Sequence, residues 1–183
     1  MSAAPATPSA AASRRGPPWL ALACIALALA HCVLFLGFRS LPLLDLPNHA
    51  ARARIMADLL FDGGARFGAL YTLEPALVPY FGADLPLVLL MHWLPPWTAA
   101  TAYACLVFVA LPVAVWVFAR RAGLAAPAAW IAALLAQLVS ADGTFIDGFA
   151  AFHLGLAALF MALAAALPFV ERGGALRLGV FAG

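Results

Sequence analysis

Four stretches of the chain are apolar on every helical face, and the polar residues between them gather in two connections. Trp19–Phe38, Ala99–Ala119, Leu124–Ser140 and Gly148–Val170 read as membrane-spanning helices, the third of them short; a span needs about 20 mostly apolar residues. Leu178–Gly183 opens like the first third of a fifth, cut off, so the chain reads as the N-terminal portion of a longer protein. Pro17-Pro18 opens the first span, behind Arg14-Arg15. Ala28-Leu29-Ala30 has the look of a cleavage site, but the apolar run continues through Val33-Leu34-Phe35-Leu36. That is too long for a signal peptide, and an uncleaved anchor is expected. The predicted fold class is all-α: a polytopic transmembrane helix bundle with about four full spans and a truncated fifth. Residues 17–183 form that transmembrane domain, behind a disordered tail at 1–16 rich in Ala, Pro, Ser and Thr.

The connection at 39–97 is too long to be structureless. Within it, 46–62 has helical pattern: Asp45 stands as N-cap, Pro47 sits in the first turn, and Gly63-Gly64 ends the helix. Ala50, Ala53, Ala57, Leu60 and Phe61 form its packing stripe. A second segment, 85–94, is apolar but too short to cross, and lies between Pro86 and Pro95-Pro96. It reads as an interfacial or re-entrant helix with His92 and Trp93 as an anchor.

Composition narrows the solvent. Of 183 residues, 66% are apolar and 10% charged, and mean hydropathy is +1.01. A soluble domain is nearer half apolar and a quarter charged. Disorder throughout, a nucleic-acid partner and a secreted disulfide scaffold are excluded. Ala makes up about a quarter of the chain, which suits close helix approach in lipid. Cys24, Cys32 and Cys105 lie inside apolar runs without metal-ligand spacing and read as small apolar core residues.

Charge then sets orientation. All ten basic residues are Arg. If 85–94 does not cross, Arg14, Arg15, Arg120, Arg121, Arg172 and Arg177 fall on one side, which the positive-inside rule makes cytoplasmic. The opposite side holds Arg39, Arg52, Arg54 and Arg66 with Asp45, Asp58, Asp62, Glu74, Asp84, Asp142 and Asp147. A multi-pass protein with a cytoplasmic N-terminus is expected.

Candidate chemistry concentrates just past the first span. Asp45, Asn48, His49 and Arg52 are polar, and spacings of three and four put Asp45, His49 and Arg52 on one helical face. A carboxylate, an imidazole and a guanidinium at the membrane–water boundary suit proton transfer and phosphate binding. The plainer reading is an N-cap with a solvated polar face. Asp142 and Asp147, in the connection 141–147, are either a turn with its N-cap or a second acidic cluster facing Asp45. His153, inside the fourth span near its outer end, has the depth of a lipid phosphate, whereas His31 reads as a packed core histidine. No Walker loop, nucleophile elbow, dinucleotide fingerprint or zinc-protease motif is present.

Leu41-Pro42-Leu43-Leu44-Asp45-Leu46-Pro47-Asn48-His49, followed by Arg52, and Asp84-Leu85-Pro86-Leu87-Val88-Leu89-Leu90 ahead of a span ending Phe118-Ala119-Arg120-Arg121, resemble the start of a GT-C-type integral membrane glycosyltransferase. Gly148-Phe149 and Phe152-His153-Leu154-Gly155 are similar to bacterial members carrying an Asp-x-Pro-Asn-His first loop. The resemblance covers roughly residues 18–170. It implies a bacterial inner-membrane enzyme that moves a sugar from a polyprenyl-phosphate donor to a lipid or protein acceptor at the outer face. Asp45 would then be general base or metal ligand, and Asp147 or Asp142 the second acid. Asn48, His49, Arg52 and His153 would hold or orient the substrate. One acid in each loop leaves both divalent-metal-dependent and metal-free catalysis open. A non-enzymatic membrane protein, such as a transporter part or an assembly subunit, is the alternative. The spans place no acid or Arg at mid-depth, which weighs against ion coupling.

Overall fold

In a computed structural model of the chain, residues 17–38, 41, 43–74, 81–147 and 150–171 are described. The expected tail at 1–16 and the start of a fifth span at 178 lie outside them. The regular elements among the described residues are all helices: α1 (Pro18–Gly37), α2 (Leu46–Phe61), α3 (Phe81–Trp93), α4 (Pro96–Arg121), α5 (Ala126–Ser140), α6 (Gly143–Ile146) and α7 (Ala150–Glu171).

Three of them are long and apolar enough to cross a membrane: α1, α4 and α7. The 20 residues of α1 rise about 30 Å at ~1.5 Å each, the thickness of a bilayer core. The third expected span is shorter than a full crossing. With 15 residues, α5 rises only about 22 Å, because the turn through Gly123 and the non-helical N-cap Ala125 delay the helix to Ala126, with Pro127 in its first turn. It nevertheless runs between opposite ends of the bundle. The α4–α5 turn marks one end, and α6, beside the N-terminus of α2, marks the other.

That turn has a defined chemistry. Gly123 adopts φ +84°, and the amides of Gly123 and Leu124 donate to the carbonyls of Arg120 (3.3 Å) and Ala119 (3.0 Å). This is a Schellman closure, which needs the left-handed conformation that glycine adopts without penalty.

α4 is the hub, packed along its length against α5 and α7. Small residues let the backbones approach: Ala99, Ala100, Ala104 and Ala114 on α4, Ala129 and Ala133 on α5, and Ala157 and Ala164 on α7 are all buried. Between α1 and α5, buried Gln137 acts as polar glue. With its amide assigned for hydrogen bonding, its nitrogen lies 3.3 Å from the Cys24 carbonyl and its oxygen 2.9 Å from the Ala28 amide. Most of α1 stays open: Trp19, Leu22, Ile25, Leu29, Val33 and Leu36 are exposed, as a lipid-facing helix requires. His31 packs as expected, stacked on Phe108 at 4.4 Å with Nδ1 2.8 Å from the Leu27 carbonyl.

The two short helices α2 and α3 pack on each other and on the N-terminal half of α4, all at one end of the bundle. Leu41, Leu43 and Leu46 join Leu87, Val88, Met91, Tyr103, Phe108 and Phe145 in one apolar core. Beyond α2, buried Asp58 organises the following loop. Its carboxylate accepts the amides of Arg66 (3.2 Å) and Phe67 (3.0 Å), while its carbonyl accepts those of Asp62 (3.0 Å) and Gly64 (2.9 Å). Arg54 reaches across α2 to α3, donating to the Met91 carbonyl at 3.1 Å, an acceptor that the end of α3 leaves without an intrahelical donor.

Candidate functional site

Asp45 at the N-cap and Asn48, His49 and Arg52 in the first two turns of α2 form a face that is solvated at Asn48 and Arg52 but closed at His49. His49 is 4% exposed. Its Nε2 lies 3.1 Å from Asp45 Oδ2 and its Nδ1 lies 2.8 Å from Asp84 Oδ1. Arg52 turns Nε and Nη2 onto the other Asp84 oxygen, at 2.7 and 2.6 Å. Asn48 Nδ2 donates to Asp45 Oδ1 at 3.0 Å. The four ionisable groups thus form a chain: Asp45, His49, Asp84, Arg52.

Asp45 stands at the N-cap position as expected, its carbonyl accepting the Asn48 and His49 amides, but it does not cap with its side chain. Its backbone is already helical, and the carboxylate is committed to Asn48 and His49 instead. Asp142 does what Asp45 does not. It caps α6, its Oδ1 accepting the Phe145 amide at 3.0 Å.

Asp84 completes the site, and its role was not read from the sequence. The apolar pattern starts at Leu85, whereas α3 starts at Phe81 and so takes Asp84 into its first turn. There Asp84 is 2% exposed. One signal pointed to it: a lone acid heading an otherwise apolar helix at a membrane needs a charged partner. Tyr103 of α4 fixes the helix start by donating from its hydroxyl to the Ala83 carbonyl at 2.9 Å.

The protonation of His49 follows from its neighbours. Only the imidazolium can donate to Asp84 and Asp45 together. A neutral ring leaves one nitrogen lone pair against a carboxylate oxygen. Nδ1 also lies 2.9 Å from Arg52 Nη2, a contact that becomes a hydrogen bond only when Nδ1 is unprotonated. The hydrogen bond to Asp84 raises the His49 pKa above its ordinary value. Burial and Arg52 oppose that shift, and the Asp84 and Asp45 charges assist it. With His49 protonated, two cations face two anions and the cluster is neutral.

Asp45 and Asn48 face outward into an open cleft of about 510 Å³, shared with Leu44 and Asp147. Two backbone bonds hold the walls together: the Leu44 amide donates to the Ile146 carbonyl and the Asp45 amide to the Asp147 carbonyl, both at 3.1 Å. Asp45 and Asp147, 102 positions apart by their numbers, therefore border one space. Asp142 and His153 form a separate pair. His153 is 1% exposed, packed against Phe145 and Phe152, with Nε2 3.6 Å from Asp142 Oδ1.

Among the described residues no three His, Cys, Asp or Glu side chains converge as a metal cage would require. His49 turns its two nitrogens to opposite carboxylates. What borders the cleft is a pair of carboxylates, the number Mg²⁺ takes from a protein when substrate phosphates supply other ligands. No protein-family model, curated protein or solved structure matches the chain.

Proposed function

We propose that the cleft at Asp45 is the acceptor side of a membrane glycosyltransferase that takes its sugar from a polyprenyl-phosphate donor. One observation carries the reading: a carboxylate at the bundle end, backed by a buried imidazole and a second carboxylate, borders an open cleft. Asp45 is the general base. The acceptor hydroxyl gives its proton to the Asp45 carboxylate while its oxygen bonds to the anomeric carbon. The anomeric C–O bond to phosphate breaks, and the electron pair leaves with the phosphate. Taking up that proton changes the four-group cluster from neutral to a net positive charge. The leaving phosphate gains negative charge in the same step, so the fields are complementary. Arg52, 47% exposed at its side chain, is the cation of the cluster that would meet that phosphate. Asp147 is the second acid, and Asp142 with His153 supports the α6 wall.

The apolar residues Leu44, Leu70 and Trp93, 80%, 80% and 78% exposed, favour a second reading, in which this end docks a membrane partner without chemistry. Transfer assays separate the two. Membranes containing the protein are given labelled polyprenyl-phosphate sugars, hexose and pentose, and sugar transfer is followed. Asp45→Asn should lower transfer by about 10²-fold or more, the usual contribution of a general base, at normal protein level. Wild-type turnover in Asp45→Asn removes the base role, and no transfer from any donor by the wild type favours docking.

A further inference from the structure

A second cavity runs from the middle of the bundle into the half away from Asp45. It measures about 310 Å³ and sits between α1, α4 and α5, at the lower end of the ~300–1,000 Å³ range of ligand pockets. Ile25, Ala28, Val113, Trp116, Trp130 and Gln137 are among its walls. Ile25 and Val113 are 52% and 51% exposed, so the cavity opens sideways, through the surface that α1 and α4 turn to the bilayer. The Trp116 and Trp130 rings meet at 5.1 Å and form its end wall.

Register places a charge there. Val109, Pro112, Val113 and Trp116 line the groove, and Arg120 follows Trp116 by four residues on the same face of α4. From Val109 to Arg120 the helix rises about 16 Å, roughly half of a ~30 Å bilayer core. Arg120 is exposed and anchored at the turn, its Nη1 donating to the Leu124 carbonyl at 2.9 Å. Exposed Arg121 adjoins it.

We propose that this groove is a binding site for an anionic phospholipid: one acyl chain lies along α4 between α1 and α5, and the phosphate sits at Arg120 and Arg121. The depth matches one leaflet, the lateral opening admits a chain from the bilayer, and the charge at the mouth selects the headgroup. The site is independent of the Asp45 cleft and does not rest on its chemistry.

The test uses the purified full chain, delipidated in a neutral detergent, and reads bound lipid by native mass spectrometry. Phosphatidylglycerol and phosphatidylcholine of identical acyl chains are the probes. Phosphatidylglycerol should bind preferentially, and Arg120→Gln and Arg121→Gln should each weaken it about fivefold, the ~1 kcal/mol that a basic residue contributes at an anionic surface. Ile25→Trp, at the exposed mouth where folding is not at stake, should weaken both lipids. Inorganic phosphate alone should not raise the melting temperature as phosphatidylglycerol does. Equal binding of the two lipids, indifference to the arginine changes, undiminished binding in Ile25→Trp, or equal stabilisation by phosphate would each overturn the site.

Discussion

His49 Nδ1 lies 2.8 Å from Asp84 Oδ1, although the two residues stand 35 positions apart. With the Arg52–Asp84 pair and the Arg54 bond to the Met91 carbonyl it joins α2 to α3. Of the imidazole's contacts it raises the proton affinity most, and it orients the other nitrogen toward Asp45. The site's behaviour follows from it.

The proton on His49 should appear in the pH dependence of stability. Its folded pKa is raised by the Asp84 hydrogen bond above an unfolded value of about 6.5. The stabilisation is therefore complete below that unfolded value and is lost as pH rises through the raised folded one. Thermal unfolding of the wild type should show a decline across this interval that His49→Gln lacks. A flat profile in the wild type would remove the imidazolium from the account.

Asp84→Ala should destabilise the protein by more than the ~0–1 kcal/mol of an exposed ion pair but less than the ~3–5 kcal/mol of a fully buried one, because Arg52 is half exposed while His49 is not. It should also lower the His49 pKa, read by NMR titration of the ring. Asp84→Asn keeps the shape and removes the charge, so it should lower that pKa with a smaller loss of stability. An unchanged His49 titration in both variants would break the proposed chain of groups.

Asp58→Ala should open the loop after α2. It leaves the amides of Arg66 and Phe67 without the carboxylate that accepts them. Arg66 is exposed and Phe67 half-buried, so water replaces part of the loss and the cost is about 1 kcal/mol, that of an ordinary hydrogen bond. Limited trypsin digestion after Arg66 is the readout, and cleavage should accelerate relative to the wild type. Equal protection would show that the loop is held by other contacts.

The sequence by itself determined the helical class, the apolar spans, the amphipathic helix at 46–62 and the polar cluster of Asp45, His49 and Arg52. These features are written locally: hydropathy over twenty residues, a period near 3.6, and glycines where helices stop. The fate of each polar side chain was not local. Asp45 and Asp142 are both acids at a helix start and both meet a histidine, yet only Asp142 caps its helix with its side chain. Only tertiary packing decided between them, by bringing α3 and the α6 loop against α2. The same packing buried Asp84, gave Asp147 a share of the Asp45 cleft and closed His153 among aromatic rings. An ionisable group withdrawn from water is held by whichever partner the fold supplies, and for Asp84 those partners, His49 and Arg52, stand 35 and 32 residues away along the chain.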